Sequence, residues 1–226
     1  MTLAPPDIPP VAPESTAAPA QPKAGKPAHS AQPVLEKLFE LYPHLFGAEF
    51  LPLKLGIFQE LLALHPDHFK RDTLKLALGV HTRSTRYLQC VAAGKARHDL
   101  QGQPGEPVAP EHVYLSIMEL FRRRQARSRE DLRPKLLAQL VAAIEASGLS
   151  SQDYLARAQA HGSQDHSVLQ EALAERDQRA AKQAALLQAF EASGKTPAEF
   201  ADMYGLDPRA VARAIDSRRM RELTFT

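Results

Sequence analysis

The sequence contains no tryptophan, a single cysteine and an aromatic share of only 6%. Without tryptophan, the core has to be built from small and aliphatic side chains, as in Ala- and Leu-rich helical packing. The lone thiol, Cys90, excludes an internal disulfide and a cysteine-rich zinc site, which fits a reducing cytoplasm. Between Leu88 and Val91, Cys90 reads as buried helix packing. No apolar run approaches the ~20 residues needed to cross a bilayer, and no charged start with an apolar stretch marks a secretory leader. The expectation is a cytoplasmic protein with no membrane partner.

Catalytic signatures are also missing. There is no Gly-x-Ser-x-Gly, no phosphate-binding Gly-rich loop with its trailing Lys, and no Cys-His pair with an orienting third group. His65 and His68 stand three residues apart, but Pro66 breaks the helix that would align them and no third ligand has a suitable spacing. His161, Asp165 and His166 fall in a polar loop. No catalytic residue, metal or cofactor is expected, and the chain does not read as an enzyme.

What the chain does have is concentrated charge. Its formal net charge is only +2, yet between Lys70 and Arg97 seven Lys or Arg residues face one acid, Asp72. A nearly neutral protein with one compact cationic segment suits an anionic partner, although a solvated helix face is the plain alternative.

Residues 1–33 hold half of the prolines with Ala, Ser and Gln between them, and read as a disordered tail. From Val34 the pattern is helical. Val34, Leu35, Leu38, Phe39 and Tyr42 form a stripe stopped by Pro43, and Pro52 suits the first turn of a second helix. Asp72 is a plausible N-cap for a third, and Thr82 or Ser84 for a fourth that stops at Gly94. The Gly102-Gln103-Pro104-Gly105 turn then suggests a small β-hairpin. Pro110 opens a long helix ending in Arg122-Arg123-Arg124, where the macrodipole alone favours cations.

The domains expected are therefore 34–128 and a helical C-terminal region, 129–226. The latter repeats itself: LVAAIEASGLSSQDYLARAQ (140–159) aligns with LLQAFEASGKTPAEFADMYG (186–205). Two similar helical units, about 136–177 and 182–221, would pack their apolar faces together. The second has the rhythm of a helix-turn-helix, with Arg209, Arg213, Arg218, Arg219 and Arg221 available for phosphates. Packing or docking of a protein partner explains the same pattern.

A helix beginning near Thr82 or Ser84 presents free backbone N–H groups and the positive end of its dipole. The hydroxyls of Thr82, Ser84 and Thr85 and the charges of Arg83 and Arg86 add to it. Tyr87 offers a ring and a hydroxyl one turn in, and Arg97 a planar fork. The bland alternatives make Tyr87 a core aromatic and Arg97 a partner of Asp99 or Asp72.

At these residues the sequence resembles the ProQ/FinO family of bacterial RNA chaperones. The resemblance rests on Pro52-Leu53-Lys54-Leu55-Gly56-Ile57-Phe58, Leu74 to Leu78, Arg86-Tyr87-Leu88, Gly94-Lys95-Ala96-Arg97-His98-Asp99-Leu100-Gln101-Gly102 and His112, in family order over roughly residues 34–125. It implies a mainly α chain: a FinO-like helical domain with a small β-hairpin, followed by the repeated helical region. It also implies binding of structured RNA, small RNAs and message 3′ ends, at hairpins followed by a single-stranded 3′ tail. The RNA-binding residues expected are Lys54, Lys70, Arg71, Lys75, His81, Thr82, Arg83, Ser84, Arg86, Tyr87 and Arg97. Two positions depart from the family pattern: Gly79, often basic in relatives, and Thr85, often a large aromatic. A shape- and end-reading surface suits A-form RNA, whose deep major groove hides the base edges. The alternative is an interaction adaptor or DNA-binding protein acting through the C-terminal repeats.

Overall fold

Proline stands at the first or second position of several of the described helices, where its missing N–H is one that no helix would use. The computed structural model describes residues 31–47, 49–161, 166–209 and 211–216. Within them the chain forms α1 (Ala31–Leu41), α2 (Pro43–Phe46), α3 (Ile57–Leu64), α4 (Arg71–Thr82) and α5 (Thr85–Ala92). These are followed by α6 (Pro110–Gln125), α7 (Arg133–Ser147), α8 (Ser151–Ala160), α9 (Ser167–Ser193) and α10 (Pro197–Tyr204). Residues 208–209 and 211–216 are also helical. Of the expected N-terminal tail, residues 1–30 lie outside the described residues, and 31–33 already form the first turn of α1.

Several starts differ from the sequence reading. Pro52 does not open a helix; it lies outside any helix, its carbonyl accepting from His98 N–H at 2.7 Å. The helix waits for Gly56, whose φ of +83° is left-handed backbone that favours glycine, and begins at Ile57. Lys70, not Asp72, is the N-cap residue of α4, and Asp72 sits in its first turn. The expected hairpin is a chain reversal with isolated bridges, His98 opposite Pro104 and Leu53 alongside His98, and no strand forms among the described residues. Proline at 104 and 107 removes donors that a ladder would need.

The hydrophobic core crosses residue 128 without interruption. Leu38, Leu45, Leu61, Leu74 and Ile117 belong to the same cluster as Leu140, Ile144, Tyr154 and Leu169. Central to it is α6, which packs on α5 and also against α7 and α8. Tyr154, fully buried, points its hydroxyl toward the Pro110 carbonyl, and the Tyr114 hydroxyl meets His166 Nδ1 at 3.3 Å.

The two repeated segments share local geometry. Gly148 and Gly194 both adopt positive φ, +67° and +61°. Ser147 and Ser193 hydroxyls donate to the carbonyls of Ile144 and Phe190, each at 2.7 Å. Ser150 and Thr196 cap the helices that follow, the latter in a capping box with Glu199. Among the described residues the two copies contribute to different buried clusters. Residues 167–193 are one continuous helix, which runs across the boundary expected between the two units. The first copy enters the main core, whereas Phe200, Ala201 and Val211 form a separate small cluster with Leu186, Phe190 and Ile215.

Because the core is shared, Leu140→Ala should destabilise by about 2–5 kcal/mol. Urea unfolding followed by far-ultraviolet circular dichroism should show α1 to α8 melting in one transition; a separate early transition for α7 and α8 would contradict a common core.

Candidate nucleic-acid interface

Two residues, Arg83 and Ser84, separate α4 from α5. Ser84 has extended backbone, and its Oγ accepts from Tyr87 N–H at 3.2 Å. Of the two capping candidates, Ser84 is therefore the cap, and the Thr82 hydroxyl instead donates to the Leu78 carbonyl at 2.9 Å. Arg83, Thr85 and Arg86 around this cap are exposed. The dipole of α5 adds positive potential at the same place.

Below the turn, Tyr87 is buried, and its hydroxyl accepts from Leu53 N–H at 3.0 Å. Burial raises the phenol's pKa. Arg97 Nη1 donates to the Leu53 carbonyl at 3.0 Å, and Nη2 lies 3.3 Å from His112 Nδ1. Burial and then Arg97 lower the pKa of His112, so a neutral ring can accept from the guanidinium. Tyr87 and Arg97 thus meet through the two sides of one residue, Leu53. The alternative partners, Asp99 and Asp72, are not used; the Asp99 carboxylate caps its own turn by accepting from the N–H groups of Gln101 and Gln103.

An aromatic group flanks the cap. His81, 4% exposed, packs on Phe46, Phe50 and Tyr87 with ring centroids 4.7, 4.4 and 5.2 Å away. The Arg86 guanidinium stands 4.5 Å from the Phe50 ring centre, a cation–π contact. Phe39, Phe46, Phe50, Val80, His81 and Ser84 help line a 380 Å³ concavity beside the turn.

The expected site residues separate into groups. Thr82, Arg83, Ser84 and Arg86 gather at the α5 start, and the Arg83 guanidinium covers Gly79, where a Cβ would lie 3.2 Å from Nη2. His81 and Tyr87 lie beneath that surface. The Lys54 ammonium is 2.5 Å from Glu60, which raises its pKa. Lys70 and Arg71 begin α4, at the opposite end of a 12-residue helix from Ser84, about 18 Å away along its axis. Lys75 is exposed between the two ends. Cations at the start of α4 oppose its dipole, so helix stability does not explain them.

Sequence reasoning missed Phe46, Phe50 and Arg123. The two phenylalanines near the cationic segment were a usable signal of aromatic and basic residues together. Arg123 was hidden by distance in the chain. Its Nη1 donates to the Arg83 carbonyl at 2.9 Å and to Thr85 Oγ1 at 3.3 Å.

Residues 28–133 match the family model described as the ProQ/FINO family. Among curated proteins, an RNA chaperone ProQ of Shewanella amazonensis is 40% identical over 84 residues, covering 35% of this chain and 38% of its own length. One from Aeromonas salmonicida is 40% identical over 88 residues, covering 37% and 42%. The chain thus spans about two fifths of these relatives' length. Among solved structures, a FinO-like RNA chaperone from Neisseria meningitidis MC58 matches at 29% identity, covering 38% of this chain and 88% of that one, with a TM-score of 0.35. A ProQ homolog from Legionella pneumophila matches at 28% identity, covering 51% and 99%, also with a TM-score of 0.35.

Two substitutions check the geometry. Tyr87→Phe removes the acceptor of the Leu53 N–H and should cost about 1–3 kcal/mol in chemical denaturation. Burial, reinforced by Arg86, lowers the His81 pKa from 6.5 to about 4. The folded state therefore keeps His81 neutral while the unfolded chain takes up a proton. Stability should be full above pH 6.5 and fall by about 3 kcal/mol toward pH 4. His81→Phe should flatten much of that slope, leaving the part due to His112. An unchanged slope would show that His81 does not titrate in this way.

Proposed function

With residues 28–133 forming a ProQ/FinO family domain, we propose that the chain is a cytoplasmic, non-catalytic RNA chaperone. It binds structured RNA at a terminator-type hairpin with a single-stranded 3′ tail, protects that end and promotes pairing with other RNAs.

The observation that carries this reading is the Ser84-capped start of α5, with Arg83 and Arg86 beside it and an aromatic concavity alongside. The turn offers hydroxyl and backbone donors with fixed charge to a terminal nucleotide. The Arg86–Phe50 stack offers a planar surface to a base. Tyr87 and Arg97 act from beneath, holding the turn in register through Leu53. Lys70, Arg71 and Lys75 continue the charge along α4, toward the duplex backbone.

A second reading, an adaptor acting through the C-terminal repeats, draws on the exposed Met203, Tyr204 and Leu206 around the end of α10. DNA binding by that unit has less support, because Arg213 lies 4.0 Å from Asp207. Arg218, Arg219 and Arg221 lie outside the described residues.

Neutralising about five phosphates should give a log–log salt slope of roughly −3 to −5 for binding of a hairpin with a free 3′ tail. Arg83→Ala and Arg86→Ala should each weaken that binding by about tenfold, as loss of a charge-assisted hydrogen bond does. Tyr204→Ser with Leu206→Ser should leave it unchanged. If both arginine variants bind like the parent while folded, the α5 turn is not the RNA site.

A further inference from the structure

The α5 turn leaves unused a second cationic concavity, at the C-terminal end of α6. The helix dipole favours cations there, but it does not explain how they are divided. Arg122 and Arg123 both pair with Glu119, Arg123 through Nε at 2.8 Å. Arg123 also reaches across to the Arg83 carbonyl and Thr85 Oγ1. It is thereby committed to joining α6 to the start of α5.

Arg124 and Arg127 are used differently. Both are exposed, and neither forms an ion pair with a carboxylate among the described residues. With Thr85, Leu120, Ser128 and Leu132 they line a 330 Å³ concavity, near the small end of the volumes that hold ligands, roughly 300–1,000 Å³. Arg123 lines it as well, so its composition is specific: aliphatic side chains, two hydroxyls and three guanidinium groups, of which those of Arg124 and Arg127 are uncommitted to a carboxylate among the described residues. The nearby acids face other duties. Glu119 already holds two arginines, and the Asp131 carboxylate accepts from Arg133 N–H at 2.9 Å. Glu130 is exposed, its N–H held by Ser128 Oγ.

Thr85 belongs to both the α5 turn and this concavity, so the two are continuous rather than separate patches. Resting on the RNA reading of the α5 turn, we infer that Arg124 and Arg127 form a second phosphate site for the same RNA strand, with Arg123 as the positioning residue between the two. A planar guanidinium binds a phosphate through two parallel N–H groups, which an ammonium does not. The strand that ends at Ser84 would pass Thr85 and lay its adjoining backbone into the second site.

The full chain carrying Arg124→Gln and Arg127→Gln tests this by fluorescence anisotropy on a labelled hairpin with a 3′ tail, over a series of salt concentrations. The expected result is an affinity loss of about tenfold or more, with the salt slope reduced by about 1–2 and an unchanged thermal melt. Replacing both arginines by lysine should restore the slope but only part of the affinity. If the glutamine variant keeps parental affinity and slope while Arg86→Ala loses binding, the second site is wrong and the α5 reading stands. An affinity loss without a change of slope would also overturn it, since no phosphate contact would have been removed. If the parent chain binds no hairpin RNA, the α5 reading itself fails and takes this site with it.

Discussion

The clamp on Leu53 is the constraint on which the candidate site depends. Residues 50–55 lie outside any helix, and their buried backbone groups need partners from elsewhere in the fold. Tyr87 supplies the acceptor for the Leu53 N–H, and Arg97 supplies the donor for its carbonyl. His98 bonds to the residues on either side, donating to Pro52 and accepting from Lys54. One peptide segment thereby ties α5, the chain reversal and the entry to α3 together. Ser84, three residues before Tyr87, inherits its position from this arrangement.

The clamp also sorts the charges. Arg97, half-buried, spends its guanidinium on structure, and Lys54 spends its ammonium on Glu60. Arg83, Arg86, Lys70, Arg71 and Lys75 remain at the surface along α4 and the start of α5. His81 completes the support from beneath as a neutral ring among aromatics, where a charge would be costly. A cationic face over an uncharged aromatic base concentrates positive potential outward.

The C-terminal helices show how similar sequence can have dissimilar roles. Both copies make the same Ser-Gly turn because it depends only on nearby atoms: a hydroxyl, a left-handed glycine and a cap. Their surroundings differ. Tyr154 lies beneath α6 in the main core, whereas its counterpart Phe200 packs within the small cluster of the second copy. At the position where the first copy has buried Ala158, the second has exposed Tyr204.

Much of this protein was legible in its sequence because the determinants are local. Helical periodicity, the start of the long α6 at Pro110 and the buried role of Cys90 all follow from residue type and spacing; the structure buries Cys90 and raises its thiol pKa to about 11. The motif residues around Arg86 and Gly94 to Gly102 carried the resemblance to the ProQ/FinO family, whose model matches residues 28–133, for the same reason. Tertiary structure alone decided which candidates share a surface. It joined Tyr87 to Arg97 through Leu53, sank His81 among phenylalanines, and brought Arg123 to Arg83 across 40 residues of chain. Composition and spacing register what a residue can do, but distances between remote segments are set by packing of the whole core.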